Sequence, residues 1–208
     1  GLLPPVDSRM PGTTPEKLQE ALRYGRDQGG AEKFVFASFL FSHNFQVGLL
    51  SMALGVLAAV PTIFLIGYNG MILGAFAALH HKSGIALEMW AWILPHGITE
   101  LLAIVFCGGI GLMLGTSVVC PGNRTRMDSL SRAGIESGWI ALGCGGMLVF
   151  AAVVESYLRQ SHLSMVPRLV FAAATAIFWI FYIAYGFFEK PENLDESDSS
   201  VPLTVSRT

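Results

Sequence analysis

The sequence predicts an all-α fold, a polytopic membrane helix bundle with about five spanning helices. Three observations carry that reading. Of 208 residues, 52% are apolar and only 13% charged, whereas an average soluble domain is about a quarter charged. The charges are also segregated. Residues 34–188 hold only Lys82, Arg124, Arg126, Arg132, Arg159 and Arg168 with Glu88, Glu100, Asp128, Glu136 and Glu155. Finally, several apolar runs approach or reach the roughly 20 residues that a helix needs to cross a bilayer core.

The same arithmetic excludes other classes. A net charge of -2 offers no basic surplus for a nucleic acid. Three cysteines without a CxxC pair exclude a disulfide framework and a thiolate zinc knuckle. The chain divides into a polar N-terminal segment (1–33), an apolar bundle (34–188) and an acidic tail (189–208). Arg9, Lys17, Arg23, Arg26 and Lys33 place the first segment on the cytoplasmic side. Glu189, Glu192, Asp195, Glu196 and Asp198 lie among serines, and a tail of that composition should be flexible. The chain begins with Gly1 and no signal-peptide pattern, so it reads as a fragment or a processed product.

The elements follow in order. Thr14-Pro15 starts a short surface helix, with Thr14 as N-cap and Pro15 in the first turn, that ends at Gly25. Residues 45–60 form the first span, which 34–41 can extend. Pro61-Thr62 opens the second, over 62–79, interrupted by Tyr68-Asn69-Gly70. His80-His81-Lys82-Ser83-Gly84 reads as a polar turn. Residues 87–94 are too short to span and stop at Pro95-His96-Gly97. Residues 98–119 are long enough. Cys120-Pro121-Gly122-Asn123 is a turn, and 124–132 a basic, helical-looking loop. Residues 135–158 and 166–188 complete the bundle. Simple counting puts the loop with Arg124, Arg126 and Arg132 outside. A re-entrant pair hinged at Pro95-His96-Gly97 would return it to the cytoplasmic side.

Gly70-xxx-Gly74, Gly111-xxx-Gly115 and Gly134-xxx-Gly138 have the spacing that lets helices approach closely. Packing within the chain explains it, as does a homo-oligomer face. Cys107 and Cys144 read as small packing residues. His80-His81 reads as an interfacial pair, and Trp90, Trp92, Trp139, Trp179, Tyr182 and Tyr185 as interface or lipid-facing anchors.

The polar residues within the apolar runs are the candidates for function. His96 and Glu100 are four apart and share one helix face, with Thr99 beside them. Glu155 sits near the end of the fourth span, Asn69-Gly70 interrupts the second, and His43-Asn44 precedes the first. Pro95 leaves the carbonyl of Ala91 without its helical donor. Such backbone survives in a bilayer only where protein or a wet cavity satisfies it. A mutually bonded hinge, a proton or ion path, a metal site with a third ligand from His43 or Glu155, and a docking pocket for a partner are the open readings. No Ser/His/Asp order, HExxH pattern or lysine-bearing phosphate loop occurs, so no catalytic residue is assigned and no enzyme, metal or cofactor is expected.

Leu94-Pro95-His96-Gly97-Ile98-Thr99-Glu100-Leu101-Leu102-Ala103 resembles the signature of the stage II sporulation protein M family of bacterial membrane proteins. His43-Asn44, Pro61-Thr62, Asn69-Gly70-Met71-Ile72-Leu73-Gly74, Gly109-Ile110-Gly111-Leu112, Pro121-Gly122 with Arg126, and Glu155 agree in order. Two positions depart: His43-Asn44 stands where many members have Asn-Asn, and Leu102 where many have Pro. The resemblance covers about 34–188. It implies a multi-pass protein of the cytoplasmic (inner) membrane that works without enzymatic activity as a scaffold for envelope partners. In endospore formers the namesake anchors peptidoglycan-degrading proteins, while similar proteins occur in bacteria that do not sporulate. Membrane lipids and envelope proteins are the expected partners. Asn44, Asn69, Gly70, Pro95, His96, Gly97, Glu100 and Glu155 form the expected polar hinge. The alternative from the residues alone is a transporter or channel using the His96/Glu100 pair.

Overall fold

The computed structural model of the chain describes residues 14–23, 43–161 and 163–188, and its regular structure there is helical throughout. α1 spans Pro15–Arg23. α2 covers residues 43–53 and passes into a 3-10 turn at Leu54–Val56. α3 runs over Val60–Lys82, α4 over Ala86–Val119, α5 over Arg126–Gln160 and α6 over Met165–Phe188. The last four are each long and apolar enough to cross a membrane. The first of the five expected spans, 45–60, is helical only to residue 53 and then turns through Leu54–Val56 and the left-handed Ala58 and Ala59. Its expected extension over 34–41 and the acidic tail lie outside the described residues.

α4 is the axis of the bundle, with α3, α5, α6 and the 3-10 turn packed on it. Its most apolar stretch is 39% buried, against 6% for α3 and α6. Those two outer helices therefore turn most of their apolar surface away from the core, where only lipid or another apolar surface suits it.

The expected break at Pro95-His96-Gly97 is absent. α4 continues through Pro95 without interruption, so the short helix over 87–94 and the span over 98–119 are one element. Proline removes a single i→i−4 bond, here to the carbonyl of Ala91. Ala91, Pro95, His96 and Gly97 are all buried, and a protein-packed proline is tolerated in a membrane helix. No re-entrant pair forms.

That correction changes the topology. α4 is ~50 Å long at 1.5 Å per residue. α1 docks at its start: Leu18 is fully buried, and the Gln19 amide donates to the Glu88 carboxylate at 2.9 Å. Arg124 and Arg126 follow its other end. α1 and the region of Arg124 and Arg126 thus lie at opposite ends of α4, not on one side.

Glycine sets the closest approach. Gly48 lies beside Cys107, Gly55 beside Gly111 and Ala59 beside Gly115, so α2 and its turn run parallel to α4. A Cβ on Gly55 would lie 2.1 Å from the Gly111 carbonyl oxygen, and one on Gly115 would lie 2.6 Å from the Ala59 Cβ. Gly111-xxx-Gly115 therefore packs within the chain. Gly70, Gly74, Gly134 and Gly138 face open space. The turn into α3 holds Ala58 and Ala59 at φ 59 and 64, a left-handed backbone that costs an L-residue about 1–2 kcal/mol.

Two other boundaries move. α3 continues through His80 and His81 to Lys82, and the turn is Ser83-Gly84, with Gly84 at φ 74. His80 is buried, its Nδ1 bonded to the Phe76 carbonyl at 2.8 Å, and so is not an interfacial loop residue. The loop expected over 124–132 is mostly the start of α5. There the Thr125 hydroxyl caps the helix by accepting from the Asp128 N–H at 3.1 Å.

Candidate polar site in the membrane core

Glu100 lies 14 residues beyond the start of α4, ~21 Å along a helix rising 1.5 Å per residue, close to its middle. A charged side chain there is expensive, about 2.5–3.5 kcal/mol for Asp on insertion scales, unless it is partnered. One neighbouring helix supplies a hydrogen-bond partner, and another brings a second acid that makes a charge at Glu100 costlier still. The Asn44 amide of α2 donates to the Glu100 carboxylate. Glu155 of α5, itself buried, stands close enough to Glu100 for the two carboxylates to interact electrostatically.

His96 lies one turn before Glu100 on the same face of α4. It is buried, and Trp92 meets its ring edge-on with centroids 6.1 Å apart. Thr99 is fully buried and accepts a hydrogen bond from the Trp179 indole N–H of α6 at 2.9 Å. Within about one turn of α4, then, α2, α5 and α6 each bring in a polar group.

Not every residue of the expected hinge joins this group. Asn69 donates to the Leu65 carbonyl of its own helix at 2.8 Å. Gly70 is exposed on α3 with open space around its Cα. Pro95 and Gly97 are buried and shape α4 without contributing a polar side chain. Among the described residues, no three of His, Cys, Asp and Glu are grouped so as to hold a metal ion.

Several polar contacts were not legible in the sequence. Trp179 reads there as a lipid-facing anchor, yet its indole reaches inward to Thr99, 80 residues away in the chain. Arg168 is buried and donates to the Leu158 and Ser161 carbonyls at 2.9 and 3.1 Å, closing the end of α5. A lone arginine just inside the last apolar run was its only signal. His81 accepts from the Trp90 indole N–H at 2.9 Å, tying the end of α3 to the start of α4.

The arrangement has two chemical capacities. Its hydrogen bonds fix the rotation of three helices, α2, α4 and α6, about one level. Its two acidic side chains also form a place where a proton or a small cation would be held between helices.

A family model described as Stage II sporulation protein M matches residues 8–159. The match includes the whole polar group on α2, α4 and α5 and ends before α6. No curated protein and no solved structure matches the chain.

Proposed function

This chain belongs to the stage II sporulation protein M family, and from that premise we propose that it is a non-enzymatic scaffold of a bacterial envelope complex in the cytoplasmic membrane. One observation carries the reading. At the central level of the bundle, polar side chains bond across helices, Asn44 to Glu100 and Trp179 to Thr99. The outer faces are apolar and broad, with Phe64 on α3, Trp139 on α5 and Phe181 on α6 all well exposed. A bundle locked at its centre and smooth outside suits holding other membrane proteins at fixed positions. Peptidoglycan-processing proteins are the partners that the family resemblance implies.

The test uses photo-crosslinking residues placed at Phe64, Trp139 and Phe181 in native membranes. A scaffold gives discrete adducts with one or a few envelope proteins. Adducts with lipid alone at all three positions count against it.

The pair Glu100 and Glu155 favours a second reading, a path for protons or a small cation. It requires flux in proteoliposomes that Glu100→Gln abolishes while the bundle stays folded. Wild-type vesicles that pass neither protons nor alkali cations exclude it.

A further inference from the structure

Two turns beyond Glu100, sulfur replaces oxygen in the core. Cys107 of α4 and Cys144 of α5 are 1% and 2% exposed. Both are free, and they belong to one buried group at the α4–α5 interface. With Ala103 and Leu148 they form a buried group against which Met52 of α2, Met147 of α5 and Phe106 pack. Gly48, one turn before Met52 on the same face of α2, lets that helix approach Cys107 closely, since a Cβ there would lie 3.3 Å from the Cys107 Sγ.

Cysteine and methionine each fill apolar cores well, and either alone would be packing. Here three helices bring two thiols and two thioethers to one place. Hard cations such as Mg²⁺ and Ca²⁺ need oxygen ligands, whereas thiolate and thioether ligands select soft ions, Cu(I) above all. We propose that Cys107, Cys144, Met52 and Met147 form a binding site for Cu(I). One thiol loses its proton to solvent as its sulfur bonds the ion. The second thiol and the thioethers donate lone pairs without losing protons. The filled site is then neutral, as burial in a bundle requires. Copper enters and remains as Cu(I), so no electron is transferred. The site stands apart from Glu100 and is independent of the scaffold reading.

The test uses the full chain in mild detergent without oxygen. A Cys120→Ser background removes the one exposed thiol. Cu(I) is titrated in competition with the chelator bathocuproine disulfonate. We expect a single Cu(I) retained per chain, an ultraviolet sulfur-to-copper absorption band and release of a single proton. Loss of a partner outside the ligand set already costs 10–100-fold in affinity, so Cys144→Ala should lower it at least about 100-fold. Met52→Leu with Met147→Leu should lower it roughly 10-fold. Failure to retain copper, or unchanged affinity in Cys144→Ala, overturns the proposal. Should the cysteine variants fail to fold, the volume-conserving methionine pair decides, and unchanged affinity there overturns it equally.

Discussion

The Asn44 amide on α2 donates to the Glu100 carboxylate on α4, close to the middle of the most buried of the four long helices. Glu155 approaches the same carboxylate from α5. The Asn44–Glu100 bond fixes the relative depth of α2 and α4, which apolar side chains alone leave free to slide and rotate, since lipid competes equally for apolar surface.

Asn44→Ala should destabilise the bundle by about 1–3 kcal/mol, because it strips a donor from a partly buried acceptor. Thermal unfolding in mild detergent measures this. Combined with Glu100→Ala, the two losses should couple by about 0.5–3 kcal/mol. Additive losses mean that the bond contributes nothing.

Glycine substitutions should divide sharply. Gly55→Ala and Gly111→Ala drive a methyl into backbone atoms and should cost about 1–3 kcal/mol as overpacking. Gly134→Ala and Gly138→Ala meet nothing within 4 Å and should leave the melting temperature unchanged or slightly raised. Equal effects at both pairs contradict the packing of the turn on α4.

Thr99→Val should cost about 1 kcal/mol by leaving the Trp179 indole N–H without its acceptor. It should also shift tryptophan emission, because Trp179 links α6 to the polar level of α4. Val170→Ala, on the exposed side of α6, serves as the control and should do neither.

The two basic regions should label from opposite sides of the membrane. Cys120 is exposed at the α4–α5 turn. A membrane-impermeant maleimide applied to intact spheroplasts should modify it. Lys17→Cys on α1, in a Cys120→Ser background, should react only after the membrane is opened. Labelling of both from outside, or of neither, contradicts a single crossing by α4.

Much of the fold was legible in the sequence, for physical reasons that also set the limit. Apolar runs report span length, so α3, α5 and α6 appear close to their observed places. Pro95 misled because its local rule, the loss of one hydrogen bond, says nothing of the packing that holds α4 straight through it. Glu100 and Glu155 stood out because charge is conspicuous in apolar surroundings. Asn69 stood out equally but bonds its own helix, and no spacing rule separates those outcomes. The Trp179–Thr99 bond and the meeting of Cys107 with Cys144 depend on which helices are neighbours. A single sequence does not encode that in any local pattern.

The most direct test of a locked scaffold joins the two readings in one preparation. Trp139, replaced by a photo-crosslinker, reports partners in native membranes, and the same chain carrying Glu100→Gln reports on the core. We expect discrete protein adducts with the wild-type core, the same adducts with Glu100→Gln, whose amide oxygen still accepts from Asn44, and no proton or cation flux from either chain in proteoliposomes. Lipid adducts alone, together with wild-type flux that Glu100→Gln abolishes, would contradict the scaffold and establish a conducting site.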